Sequence, residues 1–219
     1  MTSHLTQFPL SSKIITAGIH LIGLVALIPT MASFYSNPAI AEAANKTREA
    51  DTSPITIEAT EFLEWNQNEG TYIAKGKAFV RQSDTKINAA HIIARYNASG
   101  ETRNINHFIA TDEVTYVEGE NTAKGDKLDY NLTANFYLLT GKNASVEGPR
   151  GKMTATESIT YDAAEDTNRK VTATGKASYK SDDGRMVFGD KLIAYFAADG
   201  ALKTINAYEN TKVITTTGT

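Results

Sequence analysis

The sequence of 219 residues contains no cysteine, five prolines and a single tryptophan. Without cysteine the chain has no disulfide bond, no thiolate zinc site, no cysteine nucleophile and no lipid attached to an N-terminal cysteine. The formal net charge of -3 gives no reason to expect a nucleic acid partner. No nucleophile elbow, zinc-protease motif or phosphate-binding glycine loop occurs. The sequence therefore predicts no catalytic residue, no metal ligand and no cofactor, and we do not expect an enzyme.

A repeat of slightly more than thirty residues runs through the chain after residue 50. The aromatic residues that close successive units are separated by 31 or 34 positions; they are Trp65, Tyr96, Tyr130, Tyr161 and Tyr195. The residues that end the preceding strands are separated by 32 to 34 positions; they are Val80, Val114, Val146, Tyr179 and Val213. Two independent series with one period indicate a repeat architecture, in which each unit buries its apolar face against its neighbours.

Within one unit the apolar residues alternate with a period of two, which is typical of half-buried strands. In residues 71–81 the face expected to point inward carries Tyr72, Ala74, Gly76, Ala78 and Val80. Glycine returns at equivalent points, Gly141 and Gly175, and a glycine inside a strand commonly marks a bulge. In the return strand, residues 87–96, the apolar residues change parity. We therefore predict a second bulge, near Ala90 and His91.

Turn residues separate these short runs at regular intervals, which predicts roughly 14 to 16 short strands and an all-β jelly roll, barrel or sandwich. The last predicted strand, residues 203–217, reaches almost to the end of the sequence and would leave an open edge. An open edge is able to pair with another chain. A frayed strand followed by a threonine-rich tail explains the same residues equally well.

The N-terminal region has the composition of an export signal. An apolar run from Ile14 to Ile28 is too short to span a bilayer and is followed by the small-residue triplets Ala39-Ile40-Ala41 and Ala41-Glu42-Ala43. We predict a cleavable signal peptide over residues 1–41, a flexible lead-in over 42–53 and one β domain over 54–215.

The repeat also predicts a continuous apolar stripe on the inner face. Its expected members are Ile57, Tyr72, Val80, Ile87, Ile92, Tyr96, Leu128, Tyr130, Phe136, Leu138, Ile159, Tyr161, Leu192 and Phe196. An ordinary core accounts for each of them. Small residues at Ala74, Gly76, Ala78, Ala89 and Gly125 favour space for a ligand between the sheets. The lysines that recur with the repeat either solvate the outer face or stand at the mouth of a groove that receives an anionic ligand.

Three stretches of the sequence carry a family resemblance. Residues 55–67 (ITIEATEFLEWNQ), 72–78 (YIAKGKA) and 86–96 (KINAAHIIARY) resemble the OstA-like domain of the LptA family of lipopolysaccharide transport proteins. Echoes such as Gly-Asp-Lys-Leu-x-Tyr extend the likeness over residues 54–214.

The resemblance implies an OstA-like twisted β jelly roll of repeated antiparallel strand units, with the apolar stripe as the lipid-binding site. It also implies a periplasmic bridge that carries lipopolysaccharide from the inner to the outer membrane. The implied partners are lipopolysaccharide, an LptC-like inner-membrane component, an LptD-like outer-membrane component and further copies of the chain, associated head to tail. Two alternatives remain open: a membrane-anchored LptC-like component of the same pathway, and a structural β-repeat protein that binds no lipid.

Overall fold

The computed structural model describes residues 53–98, 104–163 and 169–215, which belong to one compact unit. These residues form fourteen β-strands: β1 (Thr56–Glu58), β2 (Phe62–Asn66), β3 (Thr71–Gln82), β4 (Thr85–Tyr96), β5 (Ile105–Glu118), β6 (Asn121–Asn131), β7 (Phe136–Thr140), β8 (Ala144–Gly148), β9 (Gly151–Ala155), β10 (Ser158–Asp162), β11 (Arg169–Ser181), β12 (Met186–Phe196), β13 (Leu202–Tyr208) and β14 (Lys212–Ile214). This part of the chain contains no helix that could cross a membrane. The predicted signal peptide and all but the last residue of the predicted lead-in lie outside the described residues.

All neighbouring strands pair antiparallel in one continuous sheet, which the chain crosses ten times. We call each crossing a pass. Six passes are single long strands, and the other four are each divided into two short strands. In chain order the passes are β1–β2, β3, β4, β5, β6, β7–β8, β9–β10, β11, β12 and β13–β14.

The sheet is folded over along a line that cuts every pass near its middle. The first half of β3 pairs with β2, whereas its second half pairs with β1. In the same way, β6 pairs with β7 and β8, and β11 with β10 and β9. Each pass therefore contributes one segment to a first layer, which includes β2, β7, β10 and β13, and one to a second layer, which includes β1, β8, β9 and β14. The inner faces of the two layers form one apolar core.

Left-handed backbone conformations create the bend. Consecutive residues with positive φ occur at the middle of four even-numbered passes: Gly76-Lys77, Asp112-Glu113, Gly175-Lys176 and Glu209-Asn210. The first three coincide with shifts in the strand register, as expected for bulges that redirect a strand. We call the side opposite the bend the mouth, where the turns between passes lie.

The preceding pass supplies the same contacts at the bend in two of the repeats. The backbone N–H of Thr60 donates to the carbonyl oxygen of Gly76 at 2.7 Å, and Thr156 donates to Gly175 at the same distance. Glu61 and Glu157 follow these threonines and lie against the two glycines. The repeated Ala-Thr-Glu sequence, residues 59–61 and 155–157, is therefore part of the bend.

The prediction of an all-β jelly roll with roughly 14 to 16 short antiparallel strands is confirmed. The bulge predicted near Ala90 and His91 is also confirmed, because the register with β5 shifts between Asn88 and His91. Two details were wrong. Gly76 is not on the inner face but at the bend, and the predicted strand over residues 203–217 is divided between β13 and β14.

Candidate functional site

Strand pairing aligns the inward residues into three rows that cross all ten passes. The aromatic row lies in the first layer towards the mouth: Trp65, Tyr72, Ala94, Phe108, Tyr130, Tyr137, Tyr161, Val171, Ala194 and Ile205. The deep row lies in the same layer towards the bend: Leu63, Ala74, Ile92, Ala110, Leu128, Leu139, Ile159, Ala173, Leu192 and Ala207. The second-layer row is Ile57, Val80, Ile87, Tyr116, Ala123, Val146, Met153, Tyr179, Val187 and Val213. None of these residues is charged, so the rows form an apolar path between the two edges of the sheet.

Twelve of the fourteen predicted site residues lie on this inner face. Ten occupy the rows: Ile57, Val80 and Ile87 in the second-layer row, Ile92, Leu128, Ile159 and Leu192 in the deep row, and Tyr72, Tyr130 and Tyr161 in the aromatic row. Tyr96 is buried at the mouth end of β4, and Phe196 packs against the core at the mouth end of β12. The structure therefore brings most of the predicted stripe together.

Phe136 and Leu138 are the two exceptions, and their predicted inward position is wrong. They pair with Asn131 and Asp129 on the outer face of the first layer. The intervening residues of the same strand, Tyr137 and Leu139, point inward instead and are buried. Four consecutive large apolar residues carry no alternation, so the sequence could not show which pair points inward.

The interior is filled by side chains in this structure. Ala74 and Ala78 are at most 1% exposed. A Cβ added at Gly125 would lie 2.8 Å from Cδ1 of Leu139, which leaves no room there. At these three positions the small residues pack against neighbouring side chains, and the space for a ligand that the sequence favoured stays a prediction. They allow the two layers to converge next to the bend.

The recurring lysines are exposed, as expected for residues that solvate the outer face. Lys77 and Lys176 lie at the bend, on the opposite side of the fold from the mouth. The alternative, that the recurring lysines meet an anionic ligand, stays a prediction. A shallow depression on the outer face of the second layer contains Lys124 and Lys152, but Glu120 and Glu147 line it as well.

The two histidines of the domain are paired with aspartates on the surface. His107 Nε2 lies 2.7 Å from Asp129 Oδ1, and His91 Nδ1 lies 3.3 Å from Asp112 Oδ2. Within the described ranges, no group of three or more histidine, aspartate or glutamate side chains is arranged to hold a metal ion.

Comparison with protein families decides the identity of this domain. Residues 56–167, about half of the chain, match the model of the LptA/(LptD N-terminal domain) LPS transport proteins. The chain belongs to this family. Family membership makes it a component of lipopolysaccharide transport, in a family of transport proteins rather than enzymes.

Several chains among the solved structures match this chain, and LptH is one of them. LptH from Pseudomonas aeruginosa, described as the LptA homologous periplasmic component of the conserved lipopolysaccharide transport device, is 13% identical. The match covers 76% of this chain and 98% of LptH, with a TM-score of 0.33. The comparison with curated proteins finds no match.

The site of this LPS transport family member contains an aromatic cluster that was not predicted as a unit. Tyr130 and Tyr137 of the first layer are stacked with ring centroids 4.0 Å apart. Tyr116 of the second layer meets Tyr137 edge-on at 5.5 Å and Tyr130 at 6.0 Å. The repeat offers a partial signal for Tyr116, since every second pass contributes a residue at this position of the second-layer row. However, the spacing series contains Val114, two positions before Tyr116, as the residue of this pass.

Trp65 also belongs to the apolar path and was missed as a site residue. Its indole stacks on Tyr72 with centroids 5.9 Å apart, and Nε1–H donates to the Tyr96 hydroxyl at 2.9 Å. Its side chain is nevertheless 47% exposed because β2 is an edge strand. The aromatic row therefore reaches the surface at the edge of the first layer.

Proposed function

We propose that the protein is a periplasmic bridge that binds lipopolysaccharide, shields its acyl chains between the two layers and passes it from the inner to the outer membrane. The observation that carries this proposal is the set of three apolar rows, which run from one edge of the sheet to the other without a charged residue. In a family of LPS transport proteins, such a path suits the apolar acyl chains of lipopolysaccharide.

The energetic need for shielding follows from the hydrophobic effect. Moving one methylene from an apolar environment into water costs about 0.8 kcal/mol, so exposing a chain of a dozen methylenes costs about 10 kcal/mol. A protein that offers a continuous apolar surface lowers this barrier without chemistry of its own. The rows bind apolar chains without directional contacts, and a chain could therefore slide along them.

Because the side chains fill the interior, the two layers must separate before an acyl chain can reach the deep row. The bend supplies a line about which the layers could rotate, since six of the ten passes run through it as single strands. The filled interior equally suits a structural β-repeat protein that binds no lipid. The experiment below separates these two functions.

Head-to-tail association of copies is supported by the edges of the sheet. The large apolar side chains that are exposed in the described residues all lie on β2, β13 or β14: Phe62, Leu63, Trp65, Tyr208, Val213 and Ile214. Each layer has two edge strands, and each of them pairs with one neighbour only, so its other side is able to form backbone hydrogen bonds with another chain. These edges suit pairing with another copy, or with LptC-like and LptD-like partners in the two membranes.

The number of passes makes such a junction antiparallel. Ten passes alternate in direction, so the last pass of one copy runs opposite to the first pass of the next. If the rows continue across the junction, Ile205 meets Trp65, Ala207 meets Leu63 and Val213 meets Ile57 of the next copy. An apolar path would then extend through the whole assembly.

A photocrosslinking experiment with adjacent aromatic residues tests lipid binding. Phe196 packs against the core, whereas Tyr195 pairs with Lys170 and Thr204 on the other face of the sheet. Each is replaced by a photoreactive phenylalanine in cells that export the protein. We expect crosslinks to lipopolysaccharide from position 196 and not from position 195. Equal capture at both positions, or capture at neither by exported protein, would contradict the proposal and favour the structural β-repeat protein.

The same cells address the membrane-anchored alternative. The mature chain is purified and its N-terminus sequenced. A new N-terminus near residue 42 is expected for a cleaved periplasmic protein, whereas an intact N-terminus would identify the anchored LptC-like component.

A further inference from the structure

The aromatic cluster closes the interior at the centre of the sheet. Tyr116 lies on the fourth pass, Tyr130 on the fifth and Tyr137 on the sixth, so the cluster occupies the middle of the ten passes. Tyr116 comes from the second layer and the other two from the first, and their rings meet across the interior. All three side chains are buried. An acyl chain that moves along the rows from one edge to the other would therefore have to displace this contact.

Two polar interactions hold Tyr116 in an otherwise apolar interior. Its hydroxyl donates to Oε2 of Glu118 at 2.9 Å and lies 3.2 Å from the hydroxyl of Tyr137. Burial, together with the nearby Tyr137 and Glu118, raises the pKa of the Tyr116 hydroxyl, so it remains a neutral hydrogen-bond donor. Glu118 ends β5 at the mouth, which places these hydroxyls on the side where solvent enters if the layers part.

These contacts are reversible in a way that leucine packing is not. When the layers separate, water replaces the hydrogen bonds of a hydroxyl, so their net loss is small. The exposed apolar surface of a leucine has no such replacement. For the same apolar area, a contact through tyrosine hydroxyls therefore holds the two layers together in the closed state and adds little to the cost of opening.

The bend lies close to Tyr116 along the chain. Asp112 and Glu113 are both in the left-handed conformation, four and three residues before Tyr116 on the same strand. A rotation at this pair would move the second half of β5, and Tyr116 with it, away from the first layer.

We propose that Tyr116, Tyr130 and Tyr137 form a gate, a contact between the layers that closes the middle of the lipid path and opens to let acyl chains pass. This inference rests on the proposed function. A purely structural role for the cluster would instead make its loss loosen the whole domain.

Thiol labelling measures the opening without lipid, because the natural chain has no cysteine. A cysteine is introduced at Leu128, in the deep row beneath the gate, or at Leu192, in the same row four passes away. Both leucines are at most 1% exposed and react with a maleimide only when the layers open. Labelling rates are compared with and without Tyr116→Phe, which keeps the ring and removes the hydroxyl.

We expect Tyr116→Phe to raise the labelling rate at position 128 about fivefold, which corresponds to one hydrogen bond of about 1 kcal/mol. Position 192 is distant from Tyr116, so Tyr116→Phe should have little effect on opening there. The labelling rate at position 192 should therefore change by less than about twofold. Tyr137→Phe removes the same hydroxyl contact between the layers, whereas the bond from Tyr116 to Glu118 lies within β5 and does not resist opening, so this variant should raise the rate at position 128 by about the same factor. Equal increases at both positions, or no increase at 128, would overturn the gate.

A lipid measurement separates failure of the gate from failure of the proposed function. Fluorescently labelled lipopolysaccharide is mixed with the wild-type protein and with Tyr116→Phe, and the association rate is recorded. We expect faster association with the variant, by about the same factor as its thiol labelling. If both proteins bind lipid at equal rates, the gate is wrong and lipid binding stands. If neither protein binds lipid while labelling at position 128 still increases, the proposed function is wrong. The cluster would then control opening of the layers but not the passage of lipid.

Discussion

Two adjacent leucines of β7 offer a sharp test of which face of the sheet is the interior. Leu139 lies in the deep row, pairs with Leu128 and Ile159, and is 2% exposed. Leu138 lies on the outer face opposite Asp129 and Thr160. Replacement of either by alanine removes the same atoms, so any difference in the free energy of unfolding comes from the surroundings.

The two substitutions should differ by about 2 kcal/mol or more in the free energy of unfolding. Leu→Ala in a packed core costs about 2 to 5 kcal/mol, because both the transfer energy and the cavity left behind contribute. Since its neighbours Leu128 and Ile159 are also buried, Leu139→Ala should lie in the middle of that range, at about 3 kcal/mol. Leu138→Ala should cost less than about 1 kcal/mol, because the site faces outward and is partly solvated.

The free energy of unfolding of both variants is measured in the mature protein by urea unfolding, and the midpoint temperature by thermal unfolding, each followed by circular dichroism. For a domain of this size, about 3 kcal/mol lowers the unfolding midpoint temperature by roughly 6 to 12 °C. If Leu138→Ala is as destabilising as Leu139→Ala, then the inward parity of β7 is wrong. The deep row would then be interrupted at its centre, and the argument for a continuous apolar path would fail with it.

Two further predictions concern the bend and the edges. Gly175→Ala should destabilise the domain by more than about 1 kcal/mol, because φ is +87° and the new Cβ would lie 2.6 Å from Cγ of Glu157. The control is Gly200→Ala, which should cost less because Gly200 has φ +76° but open space around it. Equal losses of stability would show that contact with Glu157 is unimportant. Val213→Asp should reduce self-association in sedimentation experiments and leave stability unchanged, because this side chain is 62% exposed on an edge strand. Lys212→Asp on the same strand is its control, and equal association of wild type and Val213→Asp would contradict head-to-tail pairing.

Where apolar and polar residues alternate, the sequence predicted the interior well. In β4, Ile87 and Ala89 are followed by Ile92 and Ala94, and this change of parity alone located the bulge. In β7 every residue from Phe136 to Leu139 is large and apolar, so the pattern contains no parity. The choice between the two faces there depends on pairing with β6 and β10, which a local pattern does not contain.

The bend was only partly visible in the sequence, for a conformational reason. Gly76 and Gly175 marked it because glycine adopts positive φ without strain. The pairs Asp112-Glu113 and Glu209-Asn210 adopt the same conformation without glycine, and nothing in their sequence distinguishes them from ordinary turn residues. The second spacing series shows the same limit. Four of its members fall in the second-layer row, namely Val80, Val146, Tyr179 and Val213, whereas Val114 lies beside the bend.

The alternation of the ten passes has a consequence for how such a protein can change in length. Two consecutive passes make up one sequence repeat of slightly more than thirty residues, and together they restore the original strand direction. Duplication or loss of one whole repeat would lengthen or shorten the domain and leave both edges unchanged. Loss of a single pass would reverse one edge and bring parallel strands together at every junction between copies. The smallest heritable increment of this fold is therefore a pair of strands, which is the period that the sequence displays.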